Sequence, residues 1–334
     1  MDYNPPHLTD RPAVTSKRGF FWIPGERIVG PEGTQQAGPL YVEWEAPETV
    51  TKPYPLVLIH GGGGQGTDWK GTPDGRPGWV DHFVAAGFAV YNVDRPGHGR
   101  SPHHPDVLGP AGPQFSYEFG QWLFAPGGKP NHIQWPWSRE IGGAEFDQVI
   151  ASSGSLPGDI GAGQAMDAER IARLLDIIGP SVLITHSAGG PAGWLTANLR
   201  PDLVKAISAG EPMGPPFANM GMGVLEWGLT FAPIEFDPPV SSADELNDGV
   251  ERVIPGLKGL PVSVVTSDES IFATYAEATV DFLKKYGADA EWLYLPDHGI
   301  TGNGHAYIFE INSHEAIVPV IEWIDKVTGA TPAE

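Results

Sequence analysis

The sequence predicts an α/β fold, a mostly parallel central sheet flanked by helices, on three observations. From residue 55 onward, short and largely apolar runs alternate with segments of helical spacing. The runs are rich in β-branched residues, as strands buried on both faces must be. One of them, residues 181–186, breaks at Ser187 among small residues and passes directly into a helical segment.

Residues 1–17 are polar and proline-bearing and read as an N-terminal arm, which leaves residues 18–334 as a single domain. Residues 19–23 and 40–45 read as antiparallel strands separated by a Gly/Pro-rich turn region. Residues 55–60 are the first doubly buried strand, and residues 78–86 have helical spacing that ends at Gly87, a C-cap. A strand follows at 88–93. Residues 165–178 form a helix, with Ile171, Leu174, Leu175 and Ile178 at i, i+3, i+4 and i+7. After the strand at 181–186 and the helix from Pro191 come strands at 204–208 and 262–266. A helix at 270–285, a strand at 291–295 and a helix at 314–327 complete the alternation, which calls for right-handed crossovers.

Two segments interrupt that pattern. Residues 102–160 carry Trp122, Trp135 and Trp137, and residues 212–258 carry Met213, Met220, Met222, Trp227 and Phe231 before an acidic stretch. Long aromatic loops inside a compact domain are usually functional, so both are expected as cap or lid material. The alternative is surface insertions that pack on the sheet. His186, Trp122, Trp137, Met213 and Trp227 are the expected substrate-side residues, around a large apolar pocket.

Charge and composition narrow the class. With 41 acidic against 20 basic side chains, the net charge of −21 opposes nucleic-acid binding. There is no cysteine, so neither a disulfide framework nor a thiolate site exists. No apolar run approaches the roughly 20 residues that span a bilayer. The N-terminus lacks a basic segment followed by an apolar one, so a cytoplasmic location is expected, or a secreted or periplasmic one if a leader has been removed. His103, His104 and Asp106 match no metal-ligand spacing and are expected in a surface loop.

The chemistry centres on Ser187. The stretch Thr185-His186-Ser187-Ala188-Gly189 has the form of a nucleophile elbow, in which a strained strand-to-helix turn holds a hydroxyl above a sheet edge. Thr185 stands where the G-x-S-x-G pattern has its first glycine. A serine needs a base, and the base should follow the last strand. His305, flanked by Gly304 and Ala306, is the leading candidate, with His298 in reserve; His314 reads as structural. For the acid, Glu211 follows the strand after the elbow, and Asp268 follows the next one. Asp268 also fits a helix N-cap, whereas Glu211 between Gly210 and Pro212 has no local task, so Glu211 is preferred and Asp268 held in reserve. The glycine run after His60 lets backbone amides approach a ligand, so Gly62 or Gly63 together with Ala188 is expected to form an oxyanion hole. A phosphate loop is disfavoured because no Gly-Lys-Ser/Thr follows.

His60-Gly61, the segment Asp94-Arg95-Pro96-Gly97-His98-Gly99-Arg100-Ser101 and the Ser187 elbow together resemble the α/β-hydrolase superfamily, over residues 20–328. Within it, Gln65-Gly66-Thr67-Asp68-Trp69, residues 72–79 and Gly302-Asn303-Gly304-His305 are similar to bacterial carboxylesterases of the Alcaligenes esterase type. That resemblance implies a Ser–His–Glu triad of Ser187, His305 and Glu211 without a cofactor, and some such relatives act on bulky esters such as sulfonylurea herbicides. Zearalenone lactonases are similar in where they place the acid. Members of the esterase group carry a cysteine pair in the oxyanion loop, where this chain has Gly62 and Gly63. The expected activity is therefore a serine carboxylic-ester hydrolase that forms an acyl-enzyme with a bulky apolar or aromatic ester. Lactonase, amidase, C–C hydrolase and acyltransferase activities share the machinery, and a non-catalytic binding or receptor protein is the reading from another class. The implied partner is a small-molecule ester, with a homodimer left open. Arg95 is expected in a structural ion pair rather than in the pocket.

Overall fold

The computed structural model describes residues 15–330. The expected N-terminal arm lies almost wholly outside the described residues, and Lys17 already opens the first strand. The N-terminal strands are β1 (Lys17–Ile23), β2 (Glu26–Gly30), β3 (Gly33–Ala37) and β4 (Leu40–Ala46). Then come β5 (Leu56–Ile59), α1 (Trp79–Ala85), β6 (Val90–Asp94), α2 (Pro105–Leu108), α3 (Tyr117–Phe124), α4 (Ala144–Ser152) and α5 (Ile160–Ile178). The second half runs β7 (Ser181–His186), α6 (Gly190–Leu199), β8 (Val204–Gly210), β9 (Pro261–Thr266), α7 (Ala276–Lys285) and β10 (Asp289–Tyr294). Two helices close the chain, α8 (Ser313–Ala316) and α9 (Val318–Thr328).

Eight strands form one sheet in the order β1-β4-β6-β5-β7-β8-β9-β10. The six from β6 to β10 run parallel, and β4 and β1 add an antiparallel edge. Successive side chains of a strand face opposite ways, so an unbroken apolar run serves two cores at once. Leu56 and Leu58 pack with Phe83 of α1 and Trp323 of α9. Val57 and Ile59 pack on the other face with Leu174 of α5, Trp194 of α6 and Leu283 of α7. Each such buried side chain contributes about 1.5–3 kcal/mol, against about 0–1 for a surface ion pair, so the apolar runs set the register.

Several boundaries differ from the expectation for physical reasons. β2 and β3 form a separate two-stranded hairpin inside what reads as a turn region. Its residues are mostly exposed, Val29 to 88%, so they carry no alternation to read. Arg170 holds the hairpin's end through the Ala37 and Gly38 carbonyls at 2.6 and 2.9 Å. α5 starts five residues early, where the Asp159 carboxylate accepts the Ala162 amide at 2.9 Å. Gly161 and Gly163 weaken the helical signal of that first turn.

The two insertions behave differently from each other. Residues 102–160 send Ala125, Trp135, Phe146 and Val149 into the α1 and α9 side of the core. Most of residues 212–258 packs on the opposite layer through Leu229, Ile234, Phe236, Leu246, Ile254 and Leu257. That is sheet packing rather than cover over the elbow. Only the part around Met213 and Leu225, with Met220 and Phe231, clusters on Ala188.

The turn after β7 is left-handed at Ser187, with φ of 53°, a conformation that costs a non-glycine residue energy. The absence of the first pattern glycine has a local explanation. A Cβ placed on Gly193 of α6 would stand 3.0 Å from Thr185 Cγ2, so the space a glycine would leave on the strand is left instead on the helix. Gly193→Ala is expected to lower the urea unfolding midpoint in the natural background. In the Thr185→Gly background it should raise the midpoint, because helix propensity of about 1 kcal/mol then acts unopposed. Equal shifts in both backgrounds would show that the two positions do not share this space.

Candidate active site

Ser187, Glu211 and His305 come from three separate loops at the C-terminal ends of parallel strands, the edge where open α/β sheets place ligands. Glu211 follows β8 and is fully buried, with φ of 42°. Its backbone stays anchored because the Glu211 amide donates to the Val265 carbonyl at 2.8 Å. The His305 Nδ1–H donates to Glu211 Oε2 at 2.6 Å. The same carboxylate accepts the Ser270 hydroxyl at 2.6 Å, the Ser267 hydroxyl at 2.7 Å and the Ser267 amide at 3.0 Å. A buried carboxylate with this many donors is satisfied as an anion. Phe272 stacks on the imidazole, with centroids 4.0 Å apart and 8° between planes. His305 Nε2 is buried without a partner in the protein, and His305 and Ser187 border the same cavity.

The reserve acid has a different task. Asp268 accepts the amides of Gly302 and Asn303 at 2.9 and 3.2 Å, which clamps the loop that delivers His305. The reserve base, His298, is exposed and borders a surface cleft with Glu322 and Lys326, away from Ser187. His314 is also exposed, beside Glu315. A second buried carboxylate, Glu310, accepts the Gly304 amide at 3.0 Å and the Asn303 side-chain amide at 2.8 Å. It is paired at 2.7 Å with His132, which belongs to the first insertion. Sequence reasoning missed this pair, because its partners lie 178 positions apart and neither sits in a motif. His186 Nε2–H donates to the His305 carbonyl at 3.0 Å, and burial holds the imidazole well below its usual pKa, hence neutral.

The glycine loop after β5 is held from behind. Arg95 donates to the Gly61 carbonyl at 2.7 Å and pairs with Asp167 at 2.8 Å, which is the expected buried ion pair. The Arg95 amide donates to His60 Nε2, so His60 Nδ1–H donates to the same Gly61 carbonyl at 2.8 Å. Because a trans peptide is planar, fixing the Gly61 carbonyl turns the Gly62 N–H the opposite way. Gly62 lies against Ala188, since a Cβ placed on it would be 3.2 Å from the Ala188 Cβ. Gly63 instead faces the first insertion. Its carbonyl accepts the Gly154 amide at 2.6 Å, and it borders neither cavity at Ser187.

Two cavities meet at Gly62 and Ser187. One, of about 440 Å³, includes Asp68, Gln148, His186 and His305 in its walls. The other, of about 420 Å³, is walled by Phe115, Phe119, Trp122, Met213, Met222 and Phe272. His186, Trp122 and Met213 each border one of these cavities. Trp137 and Trp227 do not. Trp137 packs edge-on against Trp135 at 5.2 Å, and Trp227 packs on the opposite core, because a large indole gains more from those layers than from a wet cavity. Phe115, Phe119 and Phe272 in the second cavity, and Phe124 and Phe309 in the first, are the cavity aromatics that sequence reasoning did not single out. His103 hydrogen-bonds the Gly109 carbonyl, and among the described residues no group of three His, Cys, Asp or Glu is placed to hold a metal.

Burial, reinforced by the Asp94 charge, pushes the Asp68 carboxyl up to about 7 against the Gln65 amide that favours its anion. An unfolded Asp titrates at about 3.9, so between these values unfolding releases a proton and stability falls as pH rises. Asp68→Asn is expected to flatten the decline in urea midpoint between pH 4 and 8. An unchanged slope would mean that the carboxyl titrates normally.

Residues 54–237 match the family model described as the alpha/beta hydrolase fold. A relative from a fungus (Fungal sp., strain ATCC 74256), named probable secreted lipase phiG, is 32% identical over 345 residues, covering 95% of this chain and 92% of its own length. The solved structure of a novel bacterial esterase superposes with a TM-score of 0.69 at 23% identity, over 96% of this chain and 99% of that one. A peroxisomal α/β-hydrolase of Saccharomyces cerevisiae is similar at a TM-score of 0.51 and 13% identity, over 96% and 91% of the two chains. These last two are likenesses of fold. With its sheet order, its strained serine turn and a match over more than half its length, the chain belongs to the α/β-hydrolase fold family.

Proposed function

We propose that this protein is a lipase- or esterase-type hydrolase that cleaves carboxylic esters through an acyl-enzyme on Ser187. The observation that carries the reading is the 2.6 Å hydrogen bond from His305 to the buried, multiply hydrogen-bonded Glu211, with the unpartnered Nε2 of the same ring at the cavity of Ser187. In acylation, Ser187 Oγ attacks the ester carbonyl as His305 Nε2 takes its proton. Glu211 orients the ring and stabilises the imidazolium. The amides of Gly62 and Ala188 hold the oxyanion, and Gly63 has no part in it. The tetrahedral intermediate then collapses, His305 returns the proton to the leaving alkoxide, and water releases the acid by the same steps. The apolar cavity supports a bulky apolar or aromatic group on the ester.

The fungal relative's printed name supports ester hydrolysis and describes that protein as secreted. No helix among the described residues is long and apolar enough to cross a membrane.

With p-nitrophenyl acetate, Ser187→Ala is expected to lower kcat by a factor of about 10⁴ to 10⁶ and Glu211→Gln by about 10⁴. Asp268→Asn is expected to keep most of the activity and lose about 1 kcal/mol of stability, because its amide oxygen still accepts both backbone N–H groups but without the carboxylate charge. Equal turnover by wild type and Ser187→Ala would return the chain to a binding role. A collapse of kcat in Asp268→Asn alone would reassign the acid.

A further inference from the structure

We propose that His132 is a positioning residue for the reaction: through Glu310 it ties the loop that carries His305 to the first insertion, and so sets where the base stands. This rests on the acyl-enzyme reading above and adds a residue from outside the loops that deliver Ser187, Glu211 and His305. The pair is fully buried, and His132 Nε2–H donates to Glu310 Oε1 at 2.7 Å. Both Glu310 oxygens accept the amide of Gly304, the residue before His305, at 3.0 and 3.1 Å. A Cβ placed on Gly304 would stand 2.7 Å from His132 Cε1 and Nε2, so the imidazole lies against a backbone that only glycine leaves open. The Gly304 carbonyl is taken by the Ser267 hydroxyl at 3.0 Å, the same hydroxyl that reaches Glu211.

His132 is itself anchored to the helix that walls the cavities. Arg139 donates to the His132 carbonyl at 3.1 Å and to the Pro126 carbonyl at 3.3 Å, and Gln121 of α3 donates to the Arg139 carbonyl at 2.7 Å. The same helix places Phe124 nearly parallel to the His305 ring, with centroids 5.9 Å apart and 13° between planes. Two residues beyond His132, the Gln134 amide donates to the Gly302 carbonyl at 3.0 Å, and the Gln134 carbonyl accepts the Ile311 amide at 3.1 Å. Residues 132–134 are thus bonded to the chain both before and after His305. Burial pushes the Glu310 carboxyl up, and the hydrogen bonds from His132, Asn303 and Gly304 act against it. Without the His132 donor the carboxyl takes a proton more readily, and a protonated oxygen donates where Gly304 needs an acceptor. The backbone beside the catalytic ring then loses part of its hold. Misplacing a reacting group by about 1 Å costs on the order of 100-fold in rate.

His132 Nδ1 is buried without a partner in the protein, so the side chain acts through Nε2. Glutamine puts its amide nitrogen near that Nε2, whereas asparagine reaches only as far as Nδ1. His132→Ala and His132→Asn are expected to lower kcat for p-nitrophenyl acetate by about 10- to 100-fold, counted per active site titrated to completion with a p-nitrophenyl alkylphosphonate. KM should stay within about threefold, because acylation and deacylation both pass through His305 and slow together. His132→Gln, which keeps the donor, should stay within about threefold of wild type in both constants. An unchanged kcat per titrated site in His132→Ala, with fewer sites, would make the pair a folding contact and overturn the positioning role. So would a loss confined to KM, or a His132→Gln variant as slow as His132→Asn. Where the alanine variant does not fold, the comparison of glutamine with asparagine decides alone. Turnover by Ser187→Ala equal to that of wild type would overturn the underlying reading instead.

Discussion

The hydrogen bond between His305 and Glu211 is the constraint around which the rest of this edge of the sheet is arranged. It joins two residues 94 positions apart, and neither is free to drift. Glu211 is held in a left-handed conformation at the end of β8, and two serines after β9 complete its donors. His305 is stacked by Phe272, and its loop is clamped by two further carboxylates, Asp268 on Gly302 and Asn303 and Glu310 on Gly304. Each acid therefore does a separate job, one on the ring and two on the backbone that presents it. Burying Glu211 and Glu310 is costly unless each is hydrogen-bonded, and here side chains and loop amides together supply the donors, with Asp268 half-buried beside them.

The opposite wall of the site follows the same logic with the charges reversed. Arg95 is buried with Asp167 and spends a guanidinium hydrogen bond on the Gly61 carbonyl, which His60 also holds. The amide of the next residue is thereby fixed without any side chain entering the cavity. A proposed oxyanion site built from Gly62 and Ala188 depends on that rigidity, since preorganised donors need no reorientation as charge develops.

Much of the fold was legible because apolar runs and helical spacing report burial directly. The β5 run and the turn at Ser187 are where the sequence pattern placed them, and Glu211 rather than Asp268 is the carboxylate beside His305. The hairpin of β2 and β3 was not legible, because exposed strands carry no alternation. Trp137 and Trp227 misled because an indole's type does not say which way it points, and in the folded chain both found core layers. His132 and Glu310 lie outside any motif, and only the tertiary fold brings them to the loop before His305. Thr185 shows the converse case, where the missing pattern glycine is answered by Gly193 on the facing helix.

The central claim is that Ser187 is the nucleophile activated by the His305–Glu211 pair. Inactivation by a p-nitrophenyl alkylphosphonate, followed by peptide mass mapping, tests it without reference to any particular ester. The account predicts one phosphonyl adduct, on the peptide containing Ser187, formed much more slowly in Glu211→Gln. Label on another residue, or no label on Ser187 under conditions that inactivate the enzyme, would contradict it.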